Sequence, residues 1–206
     1  MSTTMERKPE VKAAVSEKPK IVPSKLAHFV CYTARFSEMV TWYKHVLQAT
    51  ASYENDFVSF LTYDDEHHRV AFVSQPHLKD RPKGLTGFHH VAFTYANLHD
   101  FLVTLERLAE GGLRPYWTIN HGPTTSAYFQ DPDSNRIELQ IDNFATNQEG
   151  IDYCALPEFA ENPVGVDFDP AELLRRLRNG ESETELKKRP RIGPRGIEGM
   201  PPETYM

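Results

Sequence analysis

Leu26-Ala-His-Phe-Val-Cys-Tyr-Thr33 and Phe88-His-His-Val-Ala-Phe-Thr-Tyr95 are one pattern written twice. Both runs are short and rich in β-branched and aromatic residues, which predicts strands. Outward from each lies a helical spacing of apolar residues. It is Met39, Val40, Tyr43, Val46 and Leu47 in the first copy, and Leu98, Phe101, Leu102, Leu105 and Leu108 in the second, stopped at Gly111-Gly112. Strand-like segments follow near 50–54, 57–63 and 68–74, and again near 113–119, 124–130 and 135–142. Each copy therefore reads strand, helix, three strands. One such unit leaves a sheet face bare, so the two should pair. The expected class is α+β: two βαβββ modules forming a curved, mixed eight-stranded sheet, cup-shaped, with helices outside.

The rest of the chain sets the boundaries. Of 206 residues, 39% are hydrophobic and 25% charged, enough for a packed core and too apolar for a disordered chain. A formal net charge of -6 argues against a general nucleic-acid binder. Two cysteines, Cys31 and Cys154, make no disulfide framework, and no apolar run is long enough to span a membrane. The charged start lacks the apolar stretch of a secretory signal, so a cytoplasmic protein is expected. We divide the chain into a flexible arm (1–21), a paired-module domain (22–145, modules 22–85 and 86–145) and an extension (146–206). The segment 143–180 is expected to wrap the cup. Within it, a short helix is expected near 169–179, capped by Asp169, with Pro170 at its first position and Gly180 after its end. The basic, proline-rich end (Lys187, Lys188, Arg189, Arg191 and Arg195 among Pro190, Pro194, Pro201 and Pro202) reads as a solvated tail, or else as a tail docked on a partner subunit.

Histidines recur at matched places in the repeat: His28, and His90 at an offset of 90 − 28 = 62 residues. Alternation sends Phe29 and Cys31, and likewise Val91 and Phe93, to the helix side, leaving each histidine facing the cup. In Asn135-Arg-Ile-Glu-Leu-Gln-Ile141, Arg136, Glu138 and Gln140 share the histidine side. Taken alone, Glu138 is only the polar member of an alternating strand. Together with two matched imidazoles it points to one divalent cation with open positions left over, a set that suits non-haem Fe(II). Aligning His-Arg-Val-Ala-Phe (68–72) with Asn-Arg-Ile-Glu-Leu (135–139) puts Ala71 opposite Glu138, so the first copy offers no fourth ligand.

Ala-His-Phe-Val (27–30), Phe-His-His-Val-Ala-Phe (88–93), His-Gly-Pro-Thr-Thr-Ser-Ala-Tyr-Phe (121–129) and Asp-Pro-Asp-Ser-Asn-Arg-Ile-Glu-Leu (131–139) resemble the vicinal oxygen chelate superfamily, and within it the type I extradiol catechol dioxygenases. The likeness covers roughly 24–145. It implies Fe(II) held by His28, His90 and Glu138 (the same ligands tolerate Mn(II)), with a small aromatic diol and O2 as substrates. It also implies a tyrosine ten residues before the glutamate, matched by Tyr128. An acid–base histidine in a His-His-x-x-Ala-Phe segment is matched by His67-His-Arg-Val-Ala-Phe72, with His68 in that role; strand parity alone would favour His67. His121 is a candidate pocket residue, its alternative being a plain turn histidine before Gly122-Pro123. The family's glycine in the Asp-Pro-Asp turn is Ser134 here, a cost to turn geometry. Well-known members carry four modules and this chain two, which leaves an aromatic acid, a biphenyl-type diol or a polyketide-derived catechol as substrate.

Two other functions remain open at this stage. A glyoxalase-type isomerase or lyase would need another acidic ligand where Ala71 stands; a metal-free binding module would hold no iron. His45, His77 and His99 read as surface groups, Trp42 and Trp117 as packing residues and Cys31 as an inert core thiol. Exposed sheet edges suggest a homo-oligomer.

Overall fold

The structure is a computed structural model that describes residues 21–204 apart from 83 and 85. All but the last residue of the expected arm lies outside the described residues. Module one runs β1 (Phe29–Thr33), α1 (Phe36–Leu47), β2 (Thr50–Glu54), β3 (Val58–Thr62) and β4 (Val70–Ser74). Module two repeats it as β5 (His90–Thr94), α2 (Leu98–Glu110), β6 (Trp117–Asn120), β7 (Thr124–Gln130) and β8 (Arg136–Asp142). The α+β class and the duplicated unit are as expected.

The sheet differs in detail. Hydrogen bonding closes two ladders, β1-β4-β3-β2 and β5-β8-β7-β6-β9, rather than one of eight strands; β9 (Val166–Asp167) comes from the extension. In each, the first strand pairs parallel with the last of its module and the other core pairings are antiparallel. Among the described residues this leaves β1 and β5 with one unpaired edge each. A cavity of about 870 Å³ opens along β1, lined among others by Cys31, Arg35, Phe88, His89 and Val91.

The amphipathic helices explain how the halves hold together. Met39, Val40, Tyr43 and Val46 of α1 are buried, as are Phe101, Leu102, Leu105 and Leu108 of α2, and they share one apolar core with Phe72, Ile137 and Leu139. Burying a side chain of this size contributes about 1.5–3 kcal/mol. Across the modules, the Tyr43 hydroxyl donates to buried Asp131 at 3.1 Å, and Arg35 bridges Asp80 and Asp133. Asp131 also accepts the backbone N–H groups of Asp133 and Asn135, so it closes the 131–135 turn while anchoring α1. In that turn Ser134 has φ +64°, the left-handed region that favours glycine. Ser134→Gly is expected to stabilise the fold by about 0.5–1 kcal/mol, the eased strain outweighing the looser unfolded chain. Urea unfolding checks this; an unchanged or lower midpoint would contradict it.

The extension carries α3 (Asn147–Cys154), α4 (Pro157–Glu161), β9, α5 (Pro170–Arg178) and α6 (Glu183–Leu186). Asp169 accepts from the N–H groups of Ala171 and Glu172 at the start of α5. The extension pairs and packs on module two. Trp117, Ile119 and Tyr128 form a small core with Val164, and Met200 packs against it. Val30, Tyr32 and Tyr53 of module one stay at least half exposed. Nor does the basic end run free in solvent: Arg189, Arg191 and Arg195 bond to Asn162, Glu158 and Asp167 of the same chain. Among the described residues no helix is long and apolar enough to cross a membrane.

Candidate metal centre and its surroundings

Strand register places Glu138 and its counterpart in the repeat. In module two Ala92 pairs with Glu138 and Glu138 with Tyr128; in module one Val30 pairs with Ala71 and Ala71 with Phe60. Val30 and Ala92 are the same position of the repeat, so Ala71 occupies the place of Glu138 and is itself buried. Module one thus carries no donor side chain at the position equivalent to Glu138.

Glu138 is nearly buried, and its Oε2 lies 3.0 Å from His90 Nε2. Burial works to raise its pKa, but the pairing with His90, with Ser126 and Tyr128 close by, outweighs that and holds the carboxyl below its usual range. The proton count around His90 is informative. His89 Nε2 faces the Thr204 carbonyl, which can only accept, so in a neutral ring His89 Nδ1 is a bare lone pair. It lies 2.6 Å from His90 Nδ1, which must then carry the proton between them. His90 Nε2 faces the Glu138 carboxylate, a place that a proton on the ring or a cation between the two would complete. Two donors at about 2.1 Å from an ion and at right angles would stand about 3 Å apart, as these do. His90 and Glu138 therefore fit a divalent metal as adjacent ligands.

His28 is not brought to them. It is exposed, its ring 4.2 Å from that of His68 and 6.3 Å from that of His67. Among the described residues no three His, Cys, Asp or Glu side chains stand close enough to hold one ion. His68 stacks on Phe60 at 4.7 Å, and Phe60 shares a register line with Ala71, so His68 sits on the Ala71 side. The His67 side chain is 70% exposed, beside Glu66. Burial, then the neighbouring His28 and His67, lower the His68 pKa.

Tyr128 and His121 are drawn together. The His121 Nε2 lies 2.9 Å from the Tyr128 hydroxyl, and its Nδ1 faces the Val164 carbonyl. Burial lowers the His121 pKa and raises that of Tyr128, next to Glu138. Trp117 stacks on Tyr128 at 5.3 Å, a packing role as expected. Burial also pushes Cys31 up to about 12, which suits an inert thiol. Sequence reasoning missed Ser126, although alternation from Tyr128 would have found it on the same face. It also missed Tyr116, whose hydroxyl is buried with no hydrogen-bond partner among the described residues.

Comparison with known proteins adds the family. Residues 25–139 match the model of the Glyoxalase/Bleomycin resistance protein/Dioxygenase superfamily, more than half of the chain. The chain belongs to this superfamily. Two relatives from Rhodococcus globerulus are similar over most of its length. Biphenyl-2,3-diol 1,2-dioxygenase 2 is 47% identical, covering 76% of this chain and 83% of its own. Biphenyl-2,3-diol 1,2-dioxygenase 3 is 42% identical, covering 82% and 90%. Among solved structures, a glyoxylase/bleomycin resistance protein/dioxygenase domain from Frankia sp. EAN1pec is 18% identical over 59% of this chain and 99% of its own, at a TM-score of 0.49.

Proposed function

We propose that this superfamily member is an extradiol dioxygenase that opens the ring of a catechol-type diol with O2 at a mononuclear Fe(II). The relatives' names describe such a cut: hydroxyls on carbons 2 and 3, cleavage between carbons 1 and 2, outside the diol. The observation that carries the reading is an ionised, buried Glu138 facing a His90 ring nitrogen at 3.0 Å, with Ala71 where a further carboxylate would stand. His90 and Glu138 would hold the metal, with His28 as third donor once its ring leaves His68.

Bound Fe(II) would supply a Lewis-acidic centre that favours the ionised diol and brings diol and dioxygen together. Tyr128, fixed between His121 and Glu138, would hydrogen-bond a substrate oxygen. His68 has a lowered pKa and so a free lone pair at neutral pH; it would take one diol proton and return it as the ring opens. Trp117 and Tyr116 would wall the module-two side against water. The fully exposed edge strand β2 supports extending the proposal to a homo-oligomer.

Anaerobic loading with Fe(II), then air and a panel of catechols including biphenyl-2,3-diol, tests the reading. One equivalent of O2 consumed per diol, with a yellow semialdehyde-type product from a cut beside the hydroxyl pair, is expected. Turnover without O2, or no ring opening with any diol, would overturn it.

A further inference from the structure

The extension grips one point of module two with unusual density. β9 pairs with the end of β6, Ile119 against Asp167 and Asn120 against Val166. At Gly165 (φ +122°) the backbones come so close that a Cβ would stand 2.4 Å from the Asn120 carbonyl oxygen and 2.9 Å from the His121 Cα. Only glycine fits there. From further along, the Arg189 guanidinium donates to the His121 carbonyl at 3.0 Å and to those of Asn162 at 2.7 Å and Glu158 at 3.2 Å. Arg189 is itself held over the rings of Tyr153 and Phe159.

All of this converges on His121. The Val164 carbonyl can only accept, so the His121 Nδ1 facing it carries a proton. In the neutral ring Nε2 is then an acceptor, 2.9 Å from the Tyr128 hydroxyl. We infer that the extension is a clamp in which Gly165 and Arg189 are positioning residues: they hold His121 in its Nδ1–H form, so that Nε2 fixes the direction of the Tyr128 hydroxyl. The consequence for turnover rests on the function proposed above, in which Tyr128 meets the substrate. The geometry of the clamp does not.

The test uses the full chain and reads the two levels separately. Long-range ¹H–¹⁵N spectra of the imidazoles show one His121 tautomer, Nδ1–H, in the wild type. In Arg189→Gln and in Gly165→Ala the His121 signals move toward a tautomer mixture. In the iron-loaded enzyme kcat then falls about tenfold or more, within the range for outer groups that orient a site, while KM changes less. Arg189→Lys, which keeps one donor, recovers part of both. Near-UV circular dichroism confirms that each variant is folded before it is scored; if Gly165→Ala fails to fold, Arg189→Gln decides. A His121 spectrum unchanged in folded Arg189→Gln would overturn the clamp, whatever the activity. A shifted tautomer in a protein that cleaves no diol would leave the clamp standing and remove the proposed function.

Discussion

His28→Ala and Glu138→Ala each lower ring cleavage at least about 10³-fold and lose tightly held iron. A charged or imidazole ligand to a catalytic cation contributes several kcal/mol, and about 4 kcal/mol converts to that factor. The two variants test different things. Glu138 already faces His90 at 3.0 Å and is held ionised, so its loss removes an existing donor. His28 instead rests against His68, so its variant asks whether module one supplies a ligand at all. Steady-state oxygen uptake with metal analysis checks both. Full activity in either variant would remove that residue from the ligand set.

His68→Gln is expected to lower kcat by about 10² to 10⁴, the usual range for losing a general acid–base group, while keeping one iron per chain. Its ring lies on Phe60, on the register line of Ala71 and against His28, a place from which it could serve a substrate bound between the modules. His67→Gln, altering an exposed side chain, should cost severalfold at most. If His67→Gln were the damaging change and His68→Gln mild, the two roles would be reversed. The two substitutions thus separate the motif's assignment from that of strand parity.

Much of this arrangement was legible along the chain because its causes are local or repeated. Alternation in 135–141 sorts Ile137, Leu139 and Ile141 to the core and Glu138 to the other face. Matching 68–72 to 135–139 pairs Ala71 with Glu138, and the strand register agrees. β6 was placed early for a definable reason: the Leu113 N–H bonds back to the Leu108 carbonyl, closing the end of α2 after Gly112 (φ +82°), so the strand starts only at Trp117.

What could not be read is nonlocal. The bonds joining Val164 and Arg189 to His121 end on backbone carbonyls 43 and 68 residues away, and a carbonyl has no signature in sequence. The basic end looked like a solvated tail because composition registers its charges but not the acceptors that Asp167, Asn162 and Glu158 provide. His28 shows the same limit. Its face follows from alternation, but its distance from His90 depends on how two modules sit edge to edge, which no pattern within one module sets.

The decisive measurement is an anaerobic Fe(II) titration by calorimetry of the wild type beside His28→Ala. One iron per wild-type chain, with binding weakened at least about 100-fold in the variant, is the result expected if both modules grip one ion. Equal affinity and stoichiometry in the two proteins would contradict it.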